Sequence, residues 1–485
     1  MTADTETHRC SFVVSNATIV DGSGAPSRTG DVAVDGERIV AIGDCSTWRG
    51  DEVFDASGLV LAPGFIDCHT HDDRAVLSTP DMTMKVSQGV TSVVAGNCGI
   101  SLAPFEAGHG LPPPFPLLGQ ETDFAFPNVR DYRQTFERKP PALNLALLAG
   151  HSSLRVNAMK DRLDRPAGAA ELSDMADRLR MALAEGCIGF STGLGYPPAR
   201  AAPVEEIIAL ASVLREFDHA VYATHMRDEG DHVLEAVEET VKTGREAGVQ
   251  TVISHHKCAG LKNYGRSVET LAAIDAARKT QRLGLDVYPY TASSTSLLPE
   301  YIRESEDVLI TYSDPHPDMA GKRLCDIAKA WGCDAEEAAA RLYPAGAIYF
   351  QMDEADLKRI LSSPGAMVGS DGLPGGTKPH PRLWGTFPRV LARYVRDQKL
   401  LRLEDAVHRM TGLTAATFGL QDRGAVAVGA FADLVLFDAD SVCDMATFED
   451  PEQPARGIEK VFVNGSLAWS SDGSTGQRPG RFLTH

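Results

Sequence analysis

Residues Leu61–His71 read LAPGFIDCHTH, a short apolar run that ends in a thiol and two imidazoles. The same arrangement recurs through the middle of the chain. It is seen in Thr91–Gly99 (TSVVAGNCG), Leu143–His151 (LNLALLAGH), Cys187–Thr192 (CIGFST), His219–Arg227 (HAVYATHMR), Gln250–Lys257 (QTVISHHK), Leu283–Tyr290 (LGLDVYPY) and Ala366–Asp371 (AMVGSD). Each run is followed by a segment of helical character. Near-continuous apolar runs are what strands covered on both faces require, and their alternation with helices makes the sheet parallel. Periodicity alone does not separate an open sheet from a closed one, but eight such units predict an α/β fold of the TIM-like (β/α)8 barrel type. In such barrels the reactive side chains sit at the C-terminal ends of the strands. His, Cys and Asp fall at those ends here.

On either side of this array the texture changes. Ser11–Val20, Asp31–Val34 and Arg38–Ile42 read as short strands between DGSG and DG turns, and Ala432–Phe437 and Lys460–Val463 repeat the pattern before an Asn464–Gly465 turn. Neither end has enough strands to bury a face alone. The expectation is one small β-sandwich domain built from residues 1–62 and 416–485, flanking a barrel over 63–415. The seventh and eighth runs are far apart, and residues 291–350 between them carry a helical pattern at Gly321–Tyr343. A stretch of that length predicts an inserted subdomain rather than a bare loop.

Composition narrows the function classes. The 485 residues carry 47 Lys plus Arg against 66 Asp plus Glu, a formal charge of -19. Without a concentrated basic patch such a chain repels nucleic acid and anionic membrane, so neither is an expected partner. No apolar stretch reaches the ~18 residues of a membrane span. The opening MTADTETHRC has no apolar signal-peptide core. The expectation is therefore a cytoplasmic protein acting on a small molecule. Nine Cys, with no CxxC pair among them, exclude a secreted disulfide framework and a zinc ribbon.

The strand-end residues form a candidate metal set. His69 and His71 are alternate residues and so share a face. An HxH taken alone reads equally well as two surface histidines at a turn. Cys98 closes the second run, His225 the fifth, His255 the sixth and Asp371 the eighth. One thiol, four imidazoles and a carboxylate converging on one barrel mouth suit zinc, singly or as a pair.

PGFIDCHTH after a short β-domain, followed by strand-end histidines and a late Asp, resembles the amidohydrolase superfamily. VDGSGAP, GNCGIS, GFSTGLGY, ATHMRDE, SHHKCAG, VGSDGLP and HPRLWGTFPRVL resemble, more narrowly, the D-aminoacylase (N-acyl-D-amino-acid deacylase) family. The resemblance implies His69 and His71 at one metal position, His225 and His255 at the other, and Cys98 able to bridge both. It makes Asp371 the catalytic acid/base beside the metal. The strand-four segment CIGFSTGLGY lacks the lysine that the wider superfamily often carboxylates. One tightly bound zinc at Cys98, His225 and His255, with a second weaker site, is the resulting expectation. The implied reaction is hydrolysis of an N-acyl-D-amino acid to a carboxylate and a free D-amino acid.

Lys257, Tyr288 and Arg382 are the candidate substrate-binding residues, two cations and a phenol suited to an α-carboxylate. Both cations are expected to lie exposed at the active mouth. Ser293–Glu300 (SSTSLLPE) and the insert after it resemble the N-acyl-D-glutamate deacylase sub-branch more than the hydrophobic-preferring one. That resemblance implies a preference for an acidic side chain, with Arg303 as a partner for the second carboxylate. The rival readings are a cyclic-amide hydrolase of the hydantoinase or dihydroorotase kind and a catalytically silent structural relative. Cys98, Lys257 and the missing lysine disfavour the first, and the intact Asp371 and ligand set disfavour the second.

Overall fold

The computed structural model describes residues 7–485 apart from 107 and 109. Eight parallel strands form the centre: β1 Phe65–Asp67, β2 Val90–Ala95, β3 Asn144–Gly150, β4 Gly189–Gly193, β5 Val221–His225, β6 Gln250–Ile253, β7 Leu283–Val287 and β8 Ala366–Val368. They pair in sequence order from β1 to β8. Their alternate residues divide between two cores, which is why the runs look apolar throughout. Ile66, Val94, Leu148, Ala223 and Met367 fill the barrel, whereas their neighbours Phe65, Val93, Leu147, Tyr222 and Val368 pack outward against the helices. The closing seam lies beyond the strands themselves. Thr70 bridges Gly372, the Asp371 N–H donates to the His69 carbonyl at 2.8 Å, and the His71 N–H donates to the Gly372 carbonyl at 3.3 Å. The barrel is thus joined through the same residues that carry the strand-end ligands.

Both chain ends share a second, nine-stranded sheet. Leu434–Phe437 pairs antiparallel with Val60–Pro63, and Val60–Pro63 pairs parallel with the end of His8–Ile19. The sheet folds over on itself, stacking Phe12 on Phe462 with ring centroids 4.6 Å apart around a core of Val14, Ile19, Val32, Leu434 and Leu436. Trp48–Asp55, which also pairs with His8–Ile19, was not legible as a strand because most of it is exposed and Val53 points to solvent. Phe482–Leu483 leaves this sheet and pairs with β3 of the barrel, and the helix Gly412–Phe418 runs through residue 415.

The insert between β7 and β8 is a three-stranded antiparallel sheet, Ala292–Ser296, Ala345–Phe350 and Asp307–Ser313, covered by helices. It has its own core, including Leu297, Ile310, Leu324, Ile327, Leu342 and Tyr349. The single helical pattern expected over Gly321–Tyr343 is two helices, Leu324–Trp331 and Ala335–Leu342. Gly332 ends the first with φ +66°, and the Asp334 side chain caps the second by accepting the Glu337 N–H. Among the described residues, no helix is long and apolar enough to cross a membrane.

Candidate metal centre and active site

The strand ends bring the thiol, the imidazoles and the carboxylate together. Cys98 Sγ lies 3.3 Å from both His69 Nε2 and His255 Nε2, and His225 Nδ1 is 3.0 Å from His255 Nε2. His71 Nε2 is 3.2 Å and His69 Nε2 3.5 Å from Asp371 Oδ1. One ligand atom from each of His69, Cys98, His255 and Asp371 lies within 4.8 Å of the others, and His225, Glu229 and His255 form a second such group. All six sequence-predicted ligands are buried.

The loop carrying Cys98 shows why GNCG has its glycines. Gly96 has φ +77°, and a Cβ there would fall 2.1 Å from the Leu148 carbonyl of β3. A Cβ on Gly99 would fall 2.6 Å from the Gly193 nitrogen of β4. The loop lies against neighbouring backbone, and Cys98 (φ +55°) is turned into the mouth.

The donor set tests well against a divalent metal. Burial pushes the Cys98 thiol up, but the flanking His69 and His255 outweigh it and hold the group well below its usual range. A buried thiolate among imidazoles whose ring nitrogens approach to 3.0 Å is a set that a borderline-soft cation satisfies.

Two carboxylates absent from the sequence-predicted set orient these ligands. Asp286, on β7, accepts the His255 backbone N–H at 2.8 Å and lies 3.3 Å from His69 Nδ1. Glu229 Oε1 is 2.9 Å from His255 Nδ1. A carboxylate on the outer ring nitrogen fixes the tautomer that leaves the inner nitrogen free for a metal. The available signals were a charged residue inside the apolar run LGLDV, which must be paired when buried, and the acid four residues after His225. A third support lies under the barrel seam. The fully buried Lys85 Nζ donates to Asp67 Oδ2 at 2.7 Å and to Ser370 Oγ at 2.8 Å, with Asp72 at 3.3 Å. Ser370 Oγ in turn accepts the Gly372 N–H, so the turn holding Asp371 (φ +49°) is tied to β1.

The two candidate substrate cations are not exposed, contrary to expectation. Lys257 is 6% exposed, with Nζ 2.6 Å from Glu229 Oε1 and 2.7 Å from His255 Nδ1. Arg382 is 1% exposed; its Nη1 lies 2.9 Å from Asp371 Oδ2 in an ion contact without hydrogen-bond alignment, and Nε has no partner among the described residues. An acidic site draws its cations inward, because a buried carboxylate without a counter-charge is costly. Both flank Tyr288, with Arg382 4.6 Å and Lys257 5.5 Å from its ring centroid. Burial pushes the Tyr288 phenol up to about 12, so it is a neutral donor. Burial also raises the Asp371 carboxyl, but Arg382 and the facing imidazoles dominate and hold it well below the usual carboxylate range.

These groups open into a cavity of about 610 Å³ lined by His71, Cys98, His225, His255, Lys257, Tyr288 and Asp371. Arg303 is not on its wall; it is exposed and pairs with Glu336 at 2.6 Å. Arg200 is on the wall, 3.7 Å from Glu300.

The amidohydrolase family model matches residues 52–468. A D-aminoacylase of Alcaligenes xylosoxydans xylosoxydans is 50% identical over 97% of this chain and 97% of its own length. An N-acyl-D-aspartate deacylase of the same organism is 49% identical over 99% and 96%. The crystal structure of an N-acyl-D-glutamate deacylase from Bordetella bronchiseptica, complexed with zinc and a phosphonate mimic of the tetrahedral intermediate, superposes with TM-score 0.95. It is 46% identical and covers 99% of this chain and 100% of that one. With a family match over most of its length and full-length identity near one half, the chain belongs to the amidohydrolase family, in its D-aminoacylase (N-acyl-D-amino-acid deacylase) branch.

Proposed function

We propose that this protein hydrolyses the amide bond of N-acyl-D-amino acids, releasing a carboxylate and a free D-amino acid. The carrying observation is that His71, Cys98, His225, His255, Asp371, Lys257 and Tyr288 line one cavity, with His69 grouped with Cys98, His255 and Asp371 and with Arg382 against Asp371 and Tyr288 behind it. Cys98, His225 and His255 would hold one zinc tightly, and His69 and His71 with Cys98 a second, weaker one. When bound, zinc supplies a Lewis acid that polarises the scissile carbonyl and lowers the pKa of water to about 7.

The remaining chemistry belongs to this chain. Asp371 Oδ2 is engaged by Arg382, leaving Oδ1 as the atom that takes a proton from the attacking water and returns it to the departing amine. His71 Nε2, against that same oxygen, keeps it aimed into the cavity. Lys257 and Arg382, with the Tyr288 hydroxyl, bind the substrate's α-carboxylate. Fixing the carboxylate, the scissile carbonyl and the side-chain direction at three points selects one enantiomer. For an acidic side chain, Arg200 on the cavity wall is the partner of choice, since Arg303 faces Glu336.

The test is a panel of N-acetyl-D-glutamate, N-acetyl-D-aspartate and N-acetyl-D-leucine with their L-enantiomers, assayed for released amino acid. Turnover of D substrates alone is expected. Preference for an L substrate, or turnover only of cyclic amides, overturns the proposal.

A further inference from the structure

A second cavity, of about 560 Å³, adjoins the first. The two share Leu117, Ser294, Thr295 and Leu373, and Leu373 stands two residues beyond Asp371. These four side chains form a partition beside the reacting groups. The walls differ in chemistry. The first cavity is lined by the carboxylates Asp228, Glu229, Asp231, Glu300 and Glu304 as well as the site itself. The second has far fewer charges: Leu111 and Leu118 from the loop after β2, Pro374 from the loop after β8 and Tyr312 from the insert line it with the uncharged polar side chains of Gln120, Thr311 and Thr377. Its charged groups are Arg74, paired with Asp123 at 3.0 Å, and Asp314.

We propose that this second cavity is the chamber for the substrate's acyl chain, and that it fits medium-length apolar acyl groups better than acetyl. The inference rests on the deacylase reading. An N-acyl amino acid extends from its scissile amide in two directions. The amino-acid half carries the α-carboxylate, and its anchors Lys257 and Tyr288 line the first cavity. Arg382, the third anchor, donates from Nη2 to the Ser294 carbonyl at 3.2 Å and so stands at the partition. The acyl half leaves the scissile carbon on the other side and carries no charge, which suits a wall where leucine and proline side chains stand among uncharged hydroxyl and amide groups. The volume is that of a site for a drug-sized ligand, far larger than a methyl group needs.

The experiment measures kcat/KM for one D-amino acid bearing N-acetyl, N-butanoyl, N-hexanoyl and N-octanoyl groups. Burial of each added methylene should raise kcat/KM by up to about fourfold until the chamber is full. Two variants alter the chamber. Gly375→Phe fills it: Gly375 has no left-handed φ, and an added Cβ meets only the Leu117 carbonyl at 3.6 Å, an ordinary contact. Tyr312→Ala widens it. The readout is the hexanoyl-to-acetyl ratio within each enzyme, which should fall at least tenfold in Gly375→Phe, while Tyr312→Ala should move the optimum to a longer chain. If Gly375→Phe does not fold, the Tyr312→Ala series decides. A flat series in the unaltered enzyme, or a rise that both variants leave untouched, overturns the chamber while the deacylase reading stands. No hydrolysis of any N-acyl-D-amino acid overturns that reading and the chamber with it.

Discussion

Arg382→Met removes the guanidinium that touches Asp371 and is proposed to meet the substrate carboxylate, while keeping an apolar stem of similar length against Tyr288. A substrate carboxylate drawn to about 4 Å from that guanidinium gains about 4 kcal/mol at the effective dielectric of such a site. This lies within the 2–5 kcal/mol range for truncating one partner of a desolvated charge pair. The variant should therefore lose about a thousandfold in kcat/KM on an N-acetyl-D-amino acid. The structure adds a second term, because Arg382 also holds the Asp371 carboxyl down across 2.9 Å. The two terms separate on a substrate whose α-carboxylate is esterified. That substrate reacts poorly with the unaltered enzyme, and on it Arg382→Met should cost only about ten- to thirtyfold, the part that passes through Asp371. Steady-state assays of both enzymes on both substrates form a complete cycle. Equal losses on acid and ester would refute carboxylate binding by Arg382, and a variant within threefold of the unaltered enzyme on the acid would refute both roles.

Three further outcomes are expected. Chelation should abolish activity, and Cys98→Ala should lose metal whereas Cys187→Ala keeps it, since burial holds the Cys187 thiol above its usual range and away from the mouth; elemental analysis showing equal metal in both would make Cys98 a bystander. Asp371→Asn should keep fold and metal yet lose about 10²–10⁴-fold in kcat, and near-normal turnover would move the proton transfer elsewhere. Burial pushes the Glu206 carboxyl up, but hydrogen bonds from His151 and the Arg155 guanidinium outweigh it and bring it to about 2. A carboxyl lower in the folded than in the unfolded state stabilises above its unfolded value, here by about 3 kcal/mol, and that contribution fades as pH falls from about 4.5 towards 2. The stability gap to Glu206→Gln, read from urea midpoints, should narrow between pH 5 and pH 3; a gap independent of pH contradicts the assignment.

The sequence by itself determined the barrel and which candidate ligands meet at its mouth, because both are written in local patterns. An apolar run of about six residues ending in Cys98, His225 or Asp371 is a strand that delivers one reactive group, and eight such runs with reactive ends are the pattern of a closed (β/α)8 barrel. The two-ended β-domain was legible for the same reason, since Ala432–Phe437 is a short apolar run that needs partner strands to cover it. What only the tertiary structure decided is how charges meet across the mouth. Asp286, Glu229 and Lys85 are each remote in sequence from at least one of the groups they orient, and no spacing rule connects Lys85 to Ser370 across 285 residues. Lys257 and Arg382 were legible as cations near the mouth but not as buried ones, because a cation's exposure depends on which carboxylates the fold brings against it. The acyl chamber is of the same kind. Leu117, Tyr312 and Leu373 belong to three separate segments, and nothing in the chain's order says that they face one another until the barrel, its loops and the insert have packed.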